Sequence, residues 1–180
     1  RLESVAQGRR WRTIAGMAHR ILVSDLLSKP GSSRKESGAI RLDIDLSNAS
    51  VHADAAFEAT LRSLSDGLVA RGDTTVAADL TCNRCLEVNT ETLDVPFDQV
   101  FRHEPQDEDD EMAIEDGTWI DLEPAVHDEV TLSLPIVPVC KPDCLGLCPT
   151  CGANLNTDPC DGHEDETDSP FAVLKDLFDS

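Results

Sequence analysis

Seven cysteines are distributed over 180 residues, and Cys140, Cys144, Cys148 and Cys151 fall within the single stretch CKPDCLGLCPTCG. Thiols pair oxidatively, attack as thiolates or bind soft metals. The spacing favours metal. Tetrahedral zinc needs four ligands within about 2.3 Å of one ion, and cysteines two or three residues apart on tight turns supply them. Cys148 and Cys151 have the C-x-x-C spacing in CPTCG, where Pro149 shapes the turn and Gly152 permits the left-handed backbone that aims amide hydrogens at sulfur. Cys82 and Cys85 in CNRC repeat the spacing.

The seven cysteines and His163 make eight ligands, enough for two sites. The preferred partition puts Cys82, Cys85, Cys140 and Cys144 around one structural zinc ion, and Cys148, Cys151, Cys160 and His163 around a second. A single ribbon site of Cys82, Cys85, Cys148 and Cys151 competes with it, because the two matching turns could face each other. Other chemistries fit less well. Four cysteines among Pro, Gly and Lys do not sit on a core face. A redox pair at Cys82 and Cys85 would want a strand-turn-helix setting, and here both flanks read as strand. His127, Asp128 and Glu129 ahead of PVCKPDC match the zinc-deaminase signature poorly, since Val139 separates proline from cysteine and the cysteine spacing is three.

The elements that must carry these turns follow from periodicity. IRLDIDLS alternates Ile40, Leu42, Ile44 and Leu46 with polar residues, the pattern of a half-buried strand. AAFEATLRSLSDGLVARGDTTVAADLTC reads as two strands about the Asp66-Gly67 turn, and LEVNTETLDVPFDQVF as another. TWIDLEP is a short strand, and EPAVHDEVTLSLP a helix entered at Pro124 and closed before Pro135. The expected fold class is α+β: an antiparallel β-sheet core with a few short helices and a cysteine-rich zinc-knuckle module near the C-terminus. Residues 1–18 read as an extended or disordered tail. Residues 19–139 form the sheet domain, with an acidic, mobile loop at 102–117, and 140–168 the knuckle segment. In residues 169–180, Ser169 caps a helix begun at Pro170 that packs Phe171, Leu174 and Phe178 on the domain.

Charge bounds the partners. The net charge is -20, yet residues 1–41 hold nine basic residues against three acidic ones. Such an acidic body repels a phosphate backbone, and nucleic acid would have to be met through Arg20, through Lys29, Arg34 and Lys35 in the PGSS loop, and through Arg84. A basic protein partner is the easier inference. With five Phe, two Trp and no Tyr, the chain lacks a stacking platform for single-stranded RNA. No stretch has the roughly 18 apolar residues of a membrane span. The thiol count is odd, and the first thirty residues lack an apolar run ending in a cleavage site, so the expected location is the cytoplasm with thiols reduced.

HRILVSDLLSKPGSS, LTCNRCLE, VHDEVTLSLPIVPVCKPDCLGLCPTCGANLN and PFAVLKDLF resemble, in this order and spacing, the bacterial YceD family of large ribosomal RNA subunit accumulation proteins. The resemblance covers roughly residues 19–180. It implies a role in accumulation of 23S rRNA without an established catalytic activity. Partners would be a large-subunit ribosomal protein, a processing factor or the 23S rRNA precursor, with no small-molecule substrate and no membrane. It places the seven cysteines on the family's cysteine-rich positions and His163 where many relatives carry another cysteine. Members with fewer carboxy-terminal cysteines imply that the second knuckle is dispensable. The expectation is a non-enzymatic, zinc-stabilised assembly factor; the alternatives are a thiol oxidoreductase at Cys82 and Cys85 and an interaction adaptor unrelated to ribosomes.

Overall fold

The computed structural model of the chain describes residues 20–105, 111–158, 160 and 163. The elements run β1 (Arg20–Leu22), α1 (Ser24–Leu27), β2 (Ser33–Asp45), β3 (Ala49–Ser63), β4 (Gly67–Thr81), β5 (Val88–Arg102), β6 (Glu111–Ala113), β7 (Trp119–Asp121) and α2 (Glu123–Ser133). The tail at 1–18 and the helix expected at 169–180 lie outside the described residues.

Two compact units result. The first contains the described residues up to Leu80 together with Thr90–Ile136; the second contains Thr81–Asn89 and the described residues from Val137 onward. The CNRC turn, which the sequence leaves with the sheet, thus groups with the later cysteines.

In the first unit a five-stranded sheet has the order β2-β3-β4-β5-β6, and β1 pairs with β7 in a two-stranded ribbon. Alternation explains the long strands. Ile40, Leu42 and Ile44 on β2, Val51, Phe57 and Leu61 on β3, Val76 and Leu80 on β4, and Val95, Phe97 and Phe101 on β5 are buried on one face. Val23 and Leu26 near α1 and Val126 and Val130 of α2 complete that core. Truncating a fully buried residue such as Leu42 or Phe101 to alanine costs about 2–5 kcal/mol. The opposite face is exposed and carries Asp43 and Asp45 on β2, Asp54 and Glu58 on β3, Asp73 and Asp79 on β4, and Asp94 and Asp98 on β5. Helix α2 begins as expected, with Pro124 in its first turn and the Asp121 carboxylate accepting the Glu123 amide hydrogen at 2.9 Å.

Two expectations are corrected. Arg34 and Lys35 are not loop residues but lie at the start of β2, because the turn ends at Ser32 and Arg34 and Lys35 already pair with Leu61 and Thr60. The acidic segment 102–117 is not wholly loop: β6 runs parallel to β5, Ile114 is buried, and Arg102 binds both Glu111 and Asp66. The fold class is the one expected, a mostly antiparallel sheet with two short helices, and the parallel pair makes it mixed at one edge.

Candidate metal centre

The second unit is built from turns. The Cys82–Leu86 turn closes through the Leu86 amide on the Cys82 carbonyl and the Cys82 amide on the Glu87 carbonyl, both 2.9 Å. The Asn83 amide binds the Pro138 carbonyl at 2.9 Å, which brings the segment before Cys140 alongside. Arg84 then clips the two cysteine stretches together: its guanidinium donates to the carbonyls of Cys144 (3.1 Å) and Pro142 (3.3 Å), and its own carbonyl accepts the Leu147 amide at 3.0 Å. Gly146 sits where this contact is tightest. Its φ is +77°, and a Cβ there would lie 3.0 Å from the Arg84 oxygen.

These turns gather the ligands in two sets: Cys82, Cys85, Cys140 and Cys144, and Cys148, Cys151, Cys160 and His163. Within each set one potential ligand atom per residue lies within 4.8 Å of all the others. The ribbon grouping of Cys82 and Cys85 with Cys148 and Cys151 is not the arrangement the fold adopts; the two C-x-x-C turns belong to different sets. In the first set the Sγ atoms of Cys82 and Cys144 are 3.9 Å apart, and those of Cys85 and Cys140 are 3.7 Å apart. The edge of a tetrahedron with metal–thiolate bonds of about 2.3 Å is about 3.8 Å, so the separations suit one shared ion and are far too long for a disulfide. All seven cysteines are free thiols.

Hydrogen bonds to sulfur strengthen the fit. The Arg84 amide donates to Cys82 Sγ and the Asn156 side-chain amide to Cys144 Sγ, each at 3.4 Å. Asn156 is fixed in turn, since its carbonyl oxygen accepts the Leu145 amide at 3.0 Å and its NH2 also reaches Asn154 Oδ1 at 2.8 Å. Asn154 donates to Glu87 Oε1 at 2.9 Å. Amide hydrogens of Cys140 and Cys85 hold the Cys82 thiol down to about 6, and those of Cys151 and Thr150 do the same for Cys148. Burial and the adjacent Cys144, Cys85 and Cys82 push Cys140 up to about 12. Within the first set Cys82 and Cys144 are thus shifted down while Cys85 and Cys140 are shifted up, and a bound cation is what would hold all four deprotonated together.

The sets differ in exposure. Cys82, Cys85 and Cys144 are buried and Cys140 is half-buried, whereas in the second set only Cys148 is buried, and Cys151 and His163 are exposed. Asn154, Asn156 and Glu87, which position the first set, were not singled out from the sequence; the closely spaced asparagines of CGANLN were the available signal.

The basic residues considered for RNA or partner contact do not share one situation. Arg20 lies 5.8 Å over the Trp119 ring and pairs with Glu115 and Asp116. Arg34 binds Asp25, Glu36 and the Leu22 carbonyl, and Arg84 is committed to the carbonyls just described. Lys29 and Lys35 are exposed.

The chain thus joins in sequence a long-stranded sheet and a module of paired cysteine turns, whose two sets of four potential ligands could each hold a metal ion. The chain belongs to the YceD family, described as large ribosomal RNA subunit accumulation protein YceD, whose model matches residues 70–178. It is 37% identical over 126 residues to an uncharacterized protein of Mycobacterium tuberculosis, covering 66% of this chain and 59% of that protein. It is 34% identical over 125 residues to an uncharacterized protein of Mycobacterium leprae, covering 66% and 56%. A chloroplastic large ribosomal RNA subunit accumulation protein YCED homolog 1 of Arabidopsis thaliana is 30% identical over 129 residues, 54% of this chain and 40% of that protein. The matches thus span under two thirds of these relatives. No solved structure matches the chain. Among the described residues no helix is long and apolar enough to cross a membrane.

Proposed function

We propose that this chain is a non-enzymatic factor, stabilised by one or two zinc ions, that supports accumulation of 23S rRNA and formation of the large ribosomal subunit in the cytoplasm. The observation that carries the reading is the family membership, and the site geometry agrees with it. Four cysteine sulfurs closing around one ion leave no coordination position for a reacting water, as a structural zinc site requires. Zinc is favoured over other soft metals by two sets of four potential thiolate and imidazole ligands, the first with two sulfur pairs at the tetrahedral edge length.

The partner is a basic protein, a large-subunit ribosomal protein or a processing factor. The exposed sheet face described above carries eight carboxylates, of which Asp43, Asp45, Asp54 and Asp98 pair with Arg41, His52 or Arg71 and the other four remain to a partner, while three of the five basic residues considered for RNA contact are engaged within the chain. Such a face attracts lysine- and arginine-rich segments and repels phosphate. A thiol oxidoreductase at Cys82 and Cys85 has one observation in its favour, the low pKa of Cys82. Against it, Cys82 is 1% exposed, out of reach of a substrate disulfide.

The test is a pull-down of tagged protein at physiological salt with quantification of 23S precursors against 16S rRNA, before and after nuclease. The expected result is enrichment of 23S precursors with large-subunit proteins, and retention of the proteins after nuclease. Absence of 23S enrichment overturns the reading. Loss of all protein partners on nuclease treatment would move the contact to RNA.

A further inference from the structure

Strand β2 is the outer strand of the five-stranded sheet. Each of its 13 residues pairs with β3 in an unbroken register, from Ser33 opposite Arg62 to Asp45 opposite Ser50. On its other side, among the described residues, none of residues 33–45 makes a backbone hydrogen bond. Alternate N–H and C=O groups therefore face outward along about 40 Å of regular strand, a template for another strand. The opposite edge differs, being closed by the three-residue parallel β6.

Natural edges are protected by charge, and charge of one sign along β2 would repel a second copy. The charges here are instead arranged with opposite signs at the two ends. Lys35 stands near the start on the solvent face, Asp43 and Asp45 near the end on the same face, and the exposed Ala39 at the midpoint. No ion pair within the described residues engages Lys35.

We propose that β2 pairs antiparallel with β2 of a second copy of this chain about a two-fold axis at Ala39, joining two five-stranded sheets into one of ten strands. Directly opposed residues of an antiparallel pair lie on the same face, so the axis must pass through a residue. At Ala39 it sets Lys35 against Asp43 of the second copy, Ser33 against Asp45 and Ser37 against Arg41, and symmetry makes each pair twice. The whole of β2 is used. An axis at Gly38 would oppose Lys35 to Arg41, two like charges, and one at Ile40 would leave Ser33 and Arg34 unpaired. Small alanine side chains meet at the axis itself. The net charge of -20 resists approach at long range, but at physiological ionic strength it is screened beyond about 8 Å, so the close cross-strand pairs decide. The inference rests on the sheet alone and is independent of the metal reading.

The test is sedimentation velocity of the full chain over a wide concentration range at physiological salt, with the variants Lys35→Asp and Asp43→Lys. Both positions are exposed, and circular dichroism verifies that each variant is folded. The wild-type chain is expected to dimerise reversibly. Each variant should dimerise about ten- to a hundredfold more weakly, because two attractive cross-strand pairs become repulsive. An equimolar mixture of the two variants restores the pairing. The carboxylate introduced in one variant then faces the ammonium introduced in the other, and the remaining native Lys35 faces the remaining native Asp43, so native mass spectrometry should find the mixed dimer. A wild-type chain that stays monomeric throughout, a dimer indifferent to the variants, or a mixture that does not reassociate would each overturn the proposal.

Discussion

Asn156 donates its side-chain amide to Cys144 Sγ at 3.4 Å while its carbonyl oxygen accepts the Leu145 amide at 3.0 Å. One side chain thus orients a candidate ligand and fixes the backbone beside it. A thiolate that accepts such a bond is stabilised, and partners of this kind behind a metal ligand typically matter 10–100-fold in metal affinity, about the range expected here. Asn156→Ala should weaken zinc binding accordingly, read by competition against a chromophoric chelator. Asn156→Asp should weaken it further, because a carboxylate would face the sulfur in place of a donor.

The close approach of Gly146 to Arg84 makes a second test, on stability alone. In Gly146→Ala the new methyl meets the Arg84 carbonyl oxygen at 3.0 Å and the backbone stays left-handed, at a cost of about 1–3 kcal/mol. Leu86 is the converse case, a leucine at φ 60° with its side chain exposed. Leu86→Gly relieves the strained backbone and should stabilise the unit by about 0.5–1 kcal/mol. Thermal unfolding of the metal-loaded variants measures both. Equal destabilisation by the two substitutions would contradict the left-handed geometry.

Exposure separates the two ligand sets, so a chelator should strip them in sequence. The set containing exposed Cys151 and His163 is expected to lose its ion first, and the buried set of Cys82, Cys85 and Cys144 second. His163→Ala should abolish the fast phase and leave the slow one. Structural zinc contributes folding free energy on the order of 10 kcal/mol, so loss of the slow phase should coincide with unfolding of the second unit. A single phase in the wild-type chain would show that the sets release together.

Much of this was legible from residue types. Strict alternation through Ile40, Leu42 and Ile44 and the Asp66-Gly67 turn give the long antiparallel strands, because period two with one apolar face has few other solutions. The cysteines were legible as candidate ligands, but spacing alone left two partitions open. What separates them is a set of backbone bonds, Asn83 to Pro138 and Arg84 to Leu147, that no pattern announces. Strand β6 was hidden because Glu111 looks like one more acid in an acidic run; its place depends on Arg102, nine positions earlier. Arg34 and Lys35 were misplaced for a related reason, since charged residues beside a Pro-Gly turn look like loop until a partner strand is known to reach them.

His52 offers a test of the acidic sheet face. Its Nδ1 lies 3.3 Å from Asp43 Oδ1 and its Nε2 3.1 Å from Asp45 Oδ1. The hydrogen bond to Asp43, followed by the charge of Asp45, raises its pKa above the ordinary 6.5. A group whose folded pKa is raised stabilises the fold fully below the unfolded value, and that contribution fades as pH rises through the folded one. The stabilisation from His52 should therefore be present below pH 6.5 and absent once the pH has passed above its raised midpoint. Asp43→Asn removes the largest cause and should move the midpoint down towards 6.5, with Asp45→Asn giving a displacement in the same direction. An NMR titration of the ring protons reads both. A midpoint that ignored both substitutions would mean that the carboxylates do not hold the imidazolium, and the local field of this face would then be weaker than its composition implies.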